Sequence, residues 1–428
     1  MRTNFLALDR LDPSAQVEAA AKEGDIVRLD IHPLIVRSAP ATMARPAPVI
    51  TGLNRPAYSP HASLFADERD KFRIAAEQAL IMRAGVAGIE RPAPGARDLM
   101  GHSLVEIARH CLMLANQPVG GSNMEMVGRA MTTSDFPQLL ANVAHKALFA
   151  GWEGAPETWM SWCGTGQVSD FKPHHSPRAS EADDLDEIPD NVPYKYGKRA
   201  EAQETYQIAT FGKLFALTRQ TIINDDLNAL ANTPAGHGEA AARKVGDVAY
   251  AVLTANAAMG DGVALFHAGH GNLGTAGVVG VVTVGQTIKL MKLQKDLLGL
   301  RRLNIRPEFF IAPATIEGEA EIFFNSIQYA DEAAPGTPDF AFATTRNNPY
   351  AGSYFTRVYE PRLDDSSTSA YYFAARRGKT VVVFFLNGVQ EPYLETQQGW
   401  SVDGVEYKVR IDCGAKAMDW RGLIKNPG

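Results

Sequence analysis

The alternation of hydrophobic and polar residues predicts helices early in the chain and short strands late in it. Apolar side chains recur at helical spacing in segments that begin near Asp67, Leu104 and Phe136, and each segment predicts a helix with one buried face. A further helix is expected over residues 283–300. Beyond it, Phe309–Ala312 and several segments of alternating polar and aromatic residues predict strands. Together these elements predict an α+β protein.

The central stretch of the chain joins a predicted strand to two predicted helices. Thr210–Thr218 alternates as a strand does, and Asn224 or Asp225 is expected to cap a short helix that ends at Asn232. The strand and this short helix carry no nucleophile–base pair and no phosphate-binding loop. They therefore indicate a structural frame.

A proline and two glycines predict a bend after the short helix. Pro234, Gly236 and Gly238 interrupt the pattern. From Glu239 onward apolar residues again repeat at helical spacing and predict about twenty residues of helix, roughly 30 Å long. This length is sufficient for a spine across a flat domain.

A polar insert separates two alternating segments in the middle of the chain. The flanks, Val168–Lys172 and Glu204–Phe211, predict the two sides of a long hairpin, and the insert between them is too polar to be core. Its charges form an acidic run followed by basic residues: Glu181, Asp183, Asp184, Asp186, Glu187 and Asp190, then Lys195, Lys198 and Arg199. Opposite charges on one projecting loop suit contact between neighbouring copies, and a solvated charged loop is the alternative.

The first 65 residues predict an arm. A short strand-like segment, Asp25–Pro33, is followed by a stretch with repeated proline: Pro40, Pro46, Pro48, Pro56 and Pro60. Repeated proline removes backbone donors and favours extended chain, so the arm is expected to become ordered by lying on another surface. A disordered linker is the alternative.

Composition and charge exclude several classes of protein. The chain has 428 residues, of which 45% are hydrophobic and 21% charged, as in a soluble globular protein of two or three domains. Its net charge of −6 gives no general attraction to nucleic acid or to anionic membranes. We expect no secretory signal, no membrane span and no membrane partner, and therefore synthesis and folding in the cytoplasm.

Cysteine spacing and catalytic motifs argue against an enzyme. Cys111, Cys163 and Cys413 lie far apart without metal-ligand spacing, so they predict buried thiols and not a zinc module or a disulfide scaffold. The chain lacks the GxSxG, HExxH and GxxxxGK[ST] motifs.

One loop carries the side chains that most resemble a metal site. Asp261 precedes His267 and His270 among many glycines. An H-x-x-H pair without the glutamate of a zincin helix is a weak signal. No metal or other cofactor is expected, and a metal-dependent hydrolase that uses these three side chains is retained as an alternative.

Several separate motifs resemble those of one protein family and occur in the same order along the chain. They are AMTTSDFPQLLANVAHKAL, VSDFKPH, TFGKLFALTRQTIINDDLNAL, DGVALFHAGHGNLGTAG and the C-terminal segment from PYLETQQGW to the end. Residues 125–428 are similar to the capsid half of tailed-phage proteins in which a prohead protease is often fused to a major capsid protein. These proteins are related to Mu-like major head subunits and have the Hong Kong 97-like fold.

The resemblance implies an arrangement of parts. It implies an N-terminal arm and helical segment (1–125), a helix and aromatic segment of a peripheral domain (126–167), an extended loop (168–212), a peripheral domain with a long spine helix (213–279), an axial α/β domain (280–400) and a C-terminal return to the peripheral domain (401–428).

The resemblance also implies a function. It implies a major capsid protein that assembles with itself into the pentamers and hexamers of an icosahedral shell, in the cytoplasm of a bacterial host. Portal, scaffolding or decoration proteins and packaged double-stranded DNA, contacted without sequence preference, are the implied partners. Only about 65 residues precede the first predicted helix, too few for a fused protease, although a capsid-associated protease is kept as an alternative.

Overall fold

The fold is known from a computed structural model that describes residues 68–86, 89–179, 196, 201–330, 345–352, 355–399 and 403–428. The predicted N-terminal arm lies outside the described residues. No helix in the described ranges combines the length and the apolar character needed to cross a membrane.

A group of helices forms the first part of the described chain: α1 Glu68–Arg83, α2 Ala96–Leu99, α3 Leu104–Leu114, α4 Asn123–Thr132 and α5 Asp135–Gly154. Helices α3 and α4 each begin with a capping box, formed by Ser103 with Glu106 and by Ser122 with Glu125. Their apolar faces share one core. The three helices predicted from spacing are therefore confirmed.

The tryptophans that follow α5 are packed inside the protein. Trp159 and Trp162 are buried at the two ends of the short helix α6, Trp159–Trp162. The indole N–H of Trp162 donates a hydrogen bond to the hydroxyl of Tyr250 over 3.1 Å. Both tryptophans therefore serve in packing.

The larger sheet is organised around one long strand. Strand β12, Gly404–Ala417, pairs along one edge with β4, Ala209–Thr218. Along its other edge it pairs with β11, Tyr393–Gln398, and then with β10, Val381–Leu386, and β1, Gly164–Val168, runs parallel to β10. Strands β11 and β12 form an antiparallel hairpin, and the intervening residues 400–402 lie outside the described ranges.

The smaller sheet has the order β13–β9–β5–β8, with bounds Leu423–Asn426, Tyr371–Ala374, Phe309–Ala312 and Thr356–Tyr359. Its side chains alternate between two cores. Phe310 and Phe373 face the core that includes helices α9, Val281–Leu293, and α10, Glu317–Asn325, whereas Ile311 and Tyr372 face the core under the larger sheet. A short pair, β6 Gln328–Ala330 and β7 Thr345–Asn347, extends from this region.

The spine helix is longer than the sequence pattern predicted. After the short helix α7, Arg219–Ile223, helix α8 runs without a break from Leu227 to Thr254. The predicted bend at residues 234–238 and the predicted start at Glu239 are therefore wrong. A proline inside a helix costs about 3 kcal/mol, and here the buried stripe continues from Leu230 through Pro234 to Ala241, so packing outweighs that cost.

The predicted cap is also displaced by one or two residues. The side chain of Asp226, not that of Asn224 or Asp225, accepts the hydrogen bond from the Ala229 N–H at 3.2 Å. Asp225 instead adopts a positive φ of 55° and forms an ion pair with Arg83.

Glycine is required where α8 crosses α5. A Cβ on Gly238 would lie 2.0 Å from the carbonyl oxygen of Leu148, and one on Gly151 would lie 2.0 Å from that of Ala235. The two backbones therefore touch at the crossing, which no larger residue permits. These glycines indicated a bend in the sequence, but their physical role is this close approach.

Two other predicted boundaries differ from the structure. Helix α9 ends at Leu293 and not near residue 300, because the chain then turns back through Gly299, with φ 70°, and forms a bridge between Lys295 and Arg302. The strand pairing also does not follow the boundary implied at residue 400. Strands β10 and β11, before that residue, pair with β12, after it, while β13 joins β9.

We predict opposite effects for two alanine substitutions in α8. Gly238→Ala should lower the free energy of unfolding by about 1–3 kcal/mol, because the new methyl group collides with the α5 backbone. Gly236→Ala, where a Cβ meets nothing within 4 Å, should raise it by up to about 1 kcal/mol. Urea unfolding followed by circular dichroism measures both, and equal effects would contradict the proposed crossing.

Candidate functional site

A two-stranded hairpin contacts the larger sheet, where the ring of Tyr206 stacks on that of Phe384 in β10 with centroids 3.9 Å apart. Its strands are β2, His174–Ala179, and β3, Glu201–Tyr206, paired from His174 opposite Tyr206 to Ala179 opposite Glu201. A hairpin was predicted here, and Glu204–Tyr206 of its predicted second flank lie in β3. The other flank residues were misplaced, since Val168 ends β1 and Ala209–Phe211 lie in β4, and both strands pair within the larger sheet.

The charged residues predicted to make contacts between copies lie beyond these strands. Those residues, Glu181, Asp183, Asp184, Asp186, Glu187, Lys195, Lys198 and Arg199, are outside the described part of the chain. Their position between Ala179 and Glu201 nevertheless places them in the segment that joins the two hairpin strands.

Two charged side chains hold the hairpin strands to the rest of the subunit. Arg178 donates to the carbonyl oxygen of Met418 at 2.9 Å and forms an ion pair with Asp419 at 3.0 Å. Glu204, only 4% exposed, accepts the N–H of Gly260 at 2.9 Å. Burial raises the pKa of this carboxyl, and the Gly260 N–H opposes the increase.

The side chains of the predicted histidine cluster make hydrogen-bond and ring contacts within the protein. His270 is buried, lies 2.8 Å from a carboxylate oxygen of Asp261 and stacks on Trp420 with ring centroids 4.4 Å apart. His267 instead accepts the N–H of Gly269 through its Nδ1 atom. Among the described residues no group of three or more potential ligands could hold a metal ion, so nothing here supports the metal-dependent hydrolase.

A second ionic cluster joins α8 to the smaller sheet. The guanidinium of Arg362 contacts the carboxylates of Glu157 at 2.9 Å, Asp247 at 2.7 Å and Glu360 at 2.9 Å. Arg362 belongs to a turn of 3-10 helix directly after β8, and Asp247 lies on α8. Burial raises the pKa of Glu157, while its hydrogen bond to Arg362 opposes this.

Several aliphatic side chains on and near helices α9 and α10 face solvent in the single subunit. Val278, Val282, Leu300, Ile322 and Ile327 are each 69–75% exposed. Large exposed aliphatic residues are typical of surfaces that another protein covers.

The comparison with protein families decides what kind of protein this is. The sequence profile described as phage capsid protein matches residues 201–426, more than half of the chain and every element from β3 to β13. The chain belongs to this phage capsid protein family. Membership confirms the predicted capsid identity and the prediction that the protein is structural and not an enzyme, while a fused protease is not shown.

Similar solved structures include other capsids. The capsid of Myoviridae phage XM1 matches with a TM-score of 0.41 and 11% identity over 64% of this chain and 92% of that one. The capsid of a native GTA particle matches with a TM-score of 0.42 and 10% identity over 63% of this chain and 90% of that one. Mycobacterium phage Cain gives a TM-score of 0.38 and 15% identity over 60% and 83%. No curated protein matches the sequence.

The capsid protein contains anchoring residues that sequence reasoning missed. Arg178, Glu204 and Arg362 each bind partners that are distant in the chain. Even the least distant of these partners, Gly260, is 56 residues from Glu204 in the chain. No local motif could have indicated these contacts.

Replacing Arg362 should destabilise the capsid protein strongly. We predict that Arg362→Met lowers the free energy of unfolding at pH 7 by about 3–5 kcal/mol, because it leaves the carboxylates of Glu157 and Glu360 buried without their cation. Arg243→Ala is the control, since its ion pair with Glu239 is exposed and should contribute less than about 0.5 kcal/mol.

The loss of stability in the Arg362→Met variant should become smaller as the pH falls. The pKa of Glu157 is raised in the folded protein, so its protonation favours folding at low pH and this contribution is lost as pH rises through the folded pKa. Without Arg362 the pKa should rise further, and the difference from the unsubstituted protein should shrink between pH 7 and pH 5. Thermal unfolding at several pH values measures this, and a difference that grows on acidification would contradict the account.

Proposed function

We propose that the chain is the major capsid protein of a tailed phage, which assembles with itself into the pentamers and hexamers of an icosahedral shell. The observation that carries this proposal is the family match over residues 201–426, which includes the spine helix and, apart from β1, every strand of the larger and smaller sheets. Shell subunits act through repeated contacts with one another, so their function needs no catalytic group.

The described surface supports a role in assembly. The hairpin strands are held to the rest of the subunit by Arg178 and Glu204, and exposed aliphatic residues lie near α9 and α10. Rigid parts that project from a subunit can reach a neighbour with little loss of conformational entropy. We assign contacts between copies to the hairpin segment, with its acidic residues 181–190 and basic residues Lys195, Lys198 and Arg199.

The elements support the following assignment of parts. The arm and first helices would occupy residues 1–125, a peripheral part 126–167 and 213–279, and the extended loop 168–212. The axial part would occupy most of residues 280–400, and residues 401–428 would return to the peripheral part. Sheet pairing favours moving β10 and β11 to the peripheral part and β13 to the axial part.

In this role the protein would form part of the virion capsid. Assembly would take place in the cytoplasm of a bacterial host, with portal, scaffolding or decoration proteins as partners. The inner face of the shell would contact packaged double-stranded DNA without reading its sequence, because such contacts can be made locally by a protein whose net charge is −6.

The proposal predicts megadalton particles. The full chain, expressed with the scaffolding and maturation proteins of its phage, should form closed shells that are visible by electron microscopy and measurable by light scattering. A protein that remains monomeric at high concentration under these conditions would contradict the proposed function.

Neutralising two acids of the hairpin segment should weaken assembly selectively. Asp183→Asn with Asp184→Asn should raise the subunit concentration needed for assembly about tenfold, which corresponds to about 1.4 kcal/mol per subunit. The matched control, Glu90→Gln with Asp98→Asn, removes two exposed acids from the N-terminal helical part and should have little effect. Light scattering against protein concentration measures both, and equal shifts would argue against the assigned contacts.

A further inference from the structure

The loop that follows the spine helix contacts the hairpin. This loop, residues 256–272, approaches β3 so closely that a Cβ on Gly260 would lie 1.9 Å from the carbonyl oxygen of Gln203. The Gly260 N–H donates to the carboxylate of Glu204 at 2.9 Å, and the ammonium group of Lys416 on β12 donates to a backbone carbonyl of the loop at 3.0 Å. The loop is therefore held between the hairpin and the larger sheet.

His270 of this loop faces two hydrogen-bond acceptors. Its ring is buried, with Nδ1 3.0 Å from the carbonyl oxygen of Leu265 and Nε2 2.8 Å from a carboxylate oxygen of Asp261. A neutral imidazole has one donor and one acceptor nitrogen, whereas an imidazolium donates from both. Both contacts are therefore hydrogen bonds only if the ring carries two protons or if Asp261 carries one.

Asp261 is the ionised member of this pair. Partial burial acts to raise the pKa of its carboxyl, but the N–H of Val263, 2.9 Å away, and the His270 ring together lower it. The proton therefore belongs to His270. The indole of Trp420 lies flat on the ring, with centroids 4.4 Å apart and an interplanar angle of 4°, and the face of an indole attracts a cation.

The protonated ring lies next to both attachments of the hairpin. Asp261 directly follows the residue that donates to Glu204 of β3. Trp420 directly follows Asp419, which forms the ion pair with Arg178 of β2. Each hairpin strand is thus held by a residue whose neighbour in the chain contacts His270.

We propose that the second proton of His270 keeps the loop closed on the hairpin, and that its release, as the pH rises, loosens both. Without this proton, the lone pair of a buried ring nitrogen faces an oxygen that is itself an acceptor, so the nitrogen is left unsatisfied. Histidine gains and loses this proton within the physiological pH range. The property belongs to the single subunit and does not depend on the proposed function.

Other titratable and charged groups surround His270. Glu204 is the one whose carboxyl accepts the Gly260 N–H, and it keeps an oxygen that can accept this bond in either protonation state. In the described part of the chain the groups come from the hairpin, from the end of β12 with the turn after it, and from the loop itself: Arg178 and Glu204, Lys416, Asp419 and Arg421, and Asp261 and His267.

Hydrogen exchange of the full chain, followed by mass spectrometry at several pH values, tests the proposal. The backbone N–H groups of Met259, Gly260, Gly262 and Val263 are all hydrogen-bonded, and one loop peptide reports on them. After correction for the intrinsic exchange rate, their protection should fall about tenfold between about pH 6 and pH 9. Peptides of the buried helix α5 should show no such fall.

Two substitutions assign the effect to the pair. His270→Gln removes the titrating ring, so the protection of the loop should no longer change over this pH range. Asp261→Asn replaces the ionised acceptor by an amide whose N–H can donate to Nε2 of the neutral ring, so the loop should remain protected at the higher pH. If His270→Gln does not fold, Asp261→Asn decides alone.

Two further variants serve as matched controls. His267→Gln changes the other histidine of the loop, which is exposed. Glu204→Gln keeps an acceptor for the Gly260 N–H and removes the charge of this side chain. Both variants should retain the full fall in protection as the pH rises.

Several results would overturn the inference. One is equal protection of the unsubstituted loop at both pH values, and another is a fall that persists in His270→Gln or in Asp261→Asn. A fall that disappears in His267→Gln or in Glu204→Gln would assign the pH dependence to that side chain instead. Exchange is measured on the subunit whether or not it assembles, so a failure to form particles removes the proposed function and leaves this test intact.

Discussion

The close passage of helix α8 against helix α5 is the constraint on which the rest of the subunit depends. At the crossing the two backbones are in contact, because Gly151 and Gly238 carry no side chain. Because the helices approach so closely, the face of α8 that carries Ala242, Val245 and Ala249 can pack on the larger sheet in the same core. One 28-residue helix thus holds the helical part and the sheet together.

Charged clusters at the edges of this core join it to the remaining parts. Arg362 links α8 to the smaller sheet through carboxylates from three segments of the chain, and Arg178 links the hairpin to the end of β12. Buried ion pairs contribute geometric definition more reliably than net stability. A shell requires such definition, because an angular error in one subunit is repeated in every copy.

Much of the fold could be predicted from local patterns, and the exceptions have physical causes. Helical spacing located α3 and α5, and the apolar run Phe309–Ala312 located a strand with the same bounds. The predicted break at Pro234 failed because local propensity carries no information about the α5 backbone that Gly238 approaches. The hairpin flanks were partly misplaced for a similar reason, since β1 and β4 alternate like hairpin strands but pair with β10 and β12, more than 180 residues later.

The functional surface was harder to predict than the fold. The acidic run was evident as charge in the sequence, whereas Arg178 and Glu204, which hold the hairpin strands, bind partners at Asp419 and Gly260 that are distant in the chain. Only folding brings these groups together. The capsid family itself was indicated by motif order, because several short segments in sequence carry more information than any single one of them.

The central claim is that the protein acts as a repeated, rigid unit of a closed shell. A cryo-electron microscopy reconstruction of assembled particles tests this most directly. The account predicts icosahedral particles in which one subunit fold, with α8 continuous from Leu227 to Thr254, repeats around the five-fold and six-fold positions and places each hairpin on another subunit. Open filaments, or hairpins that contact only their own chain, would contradict it.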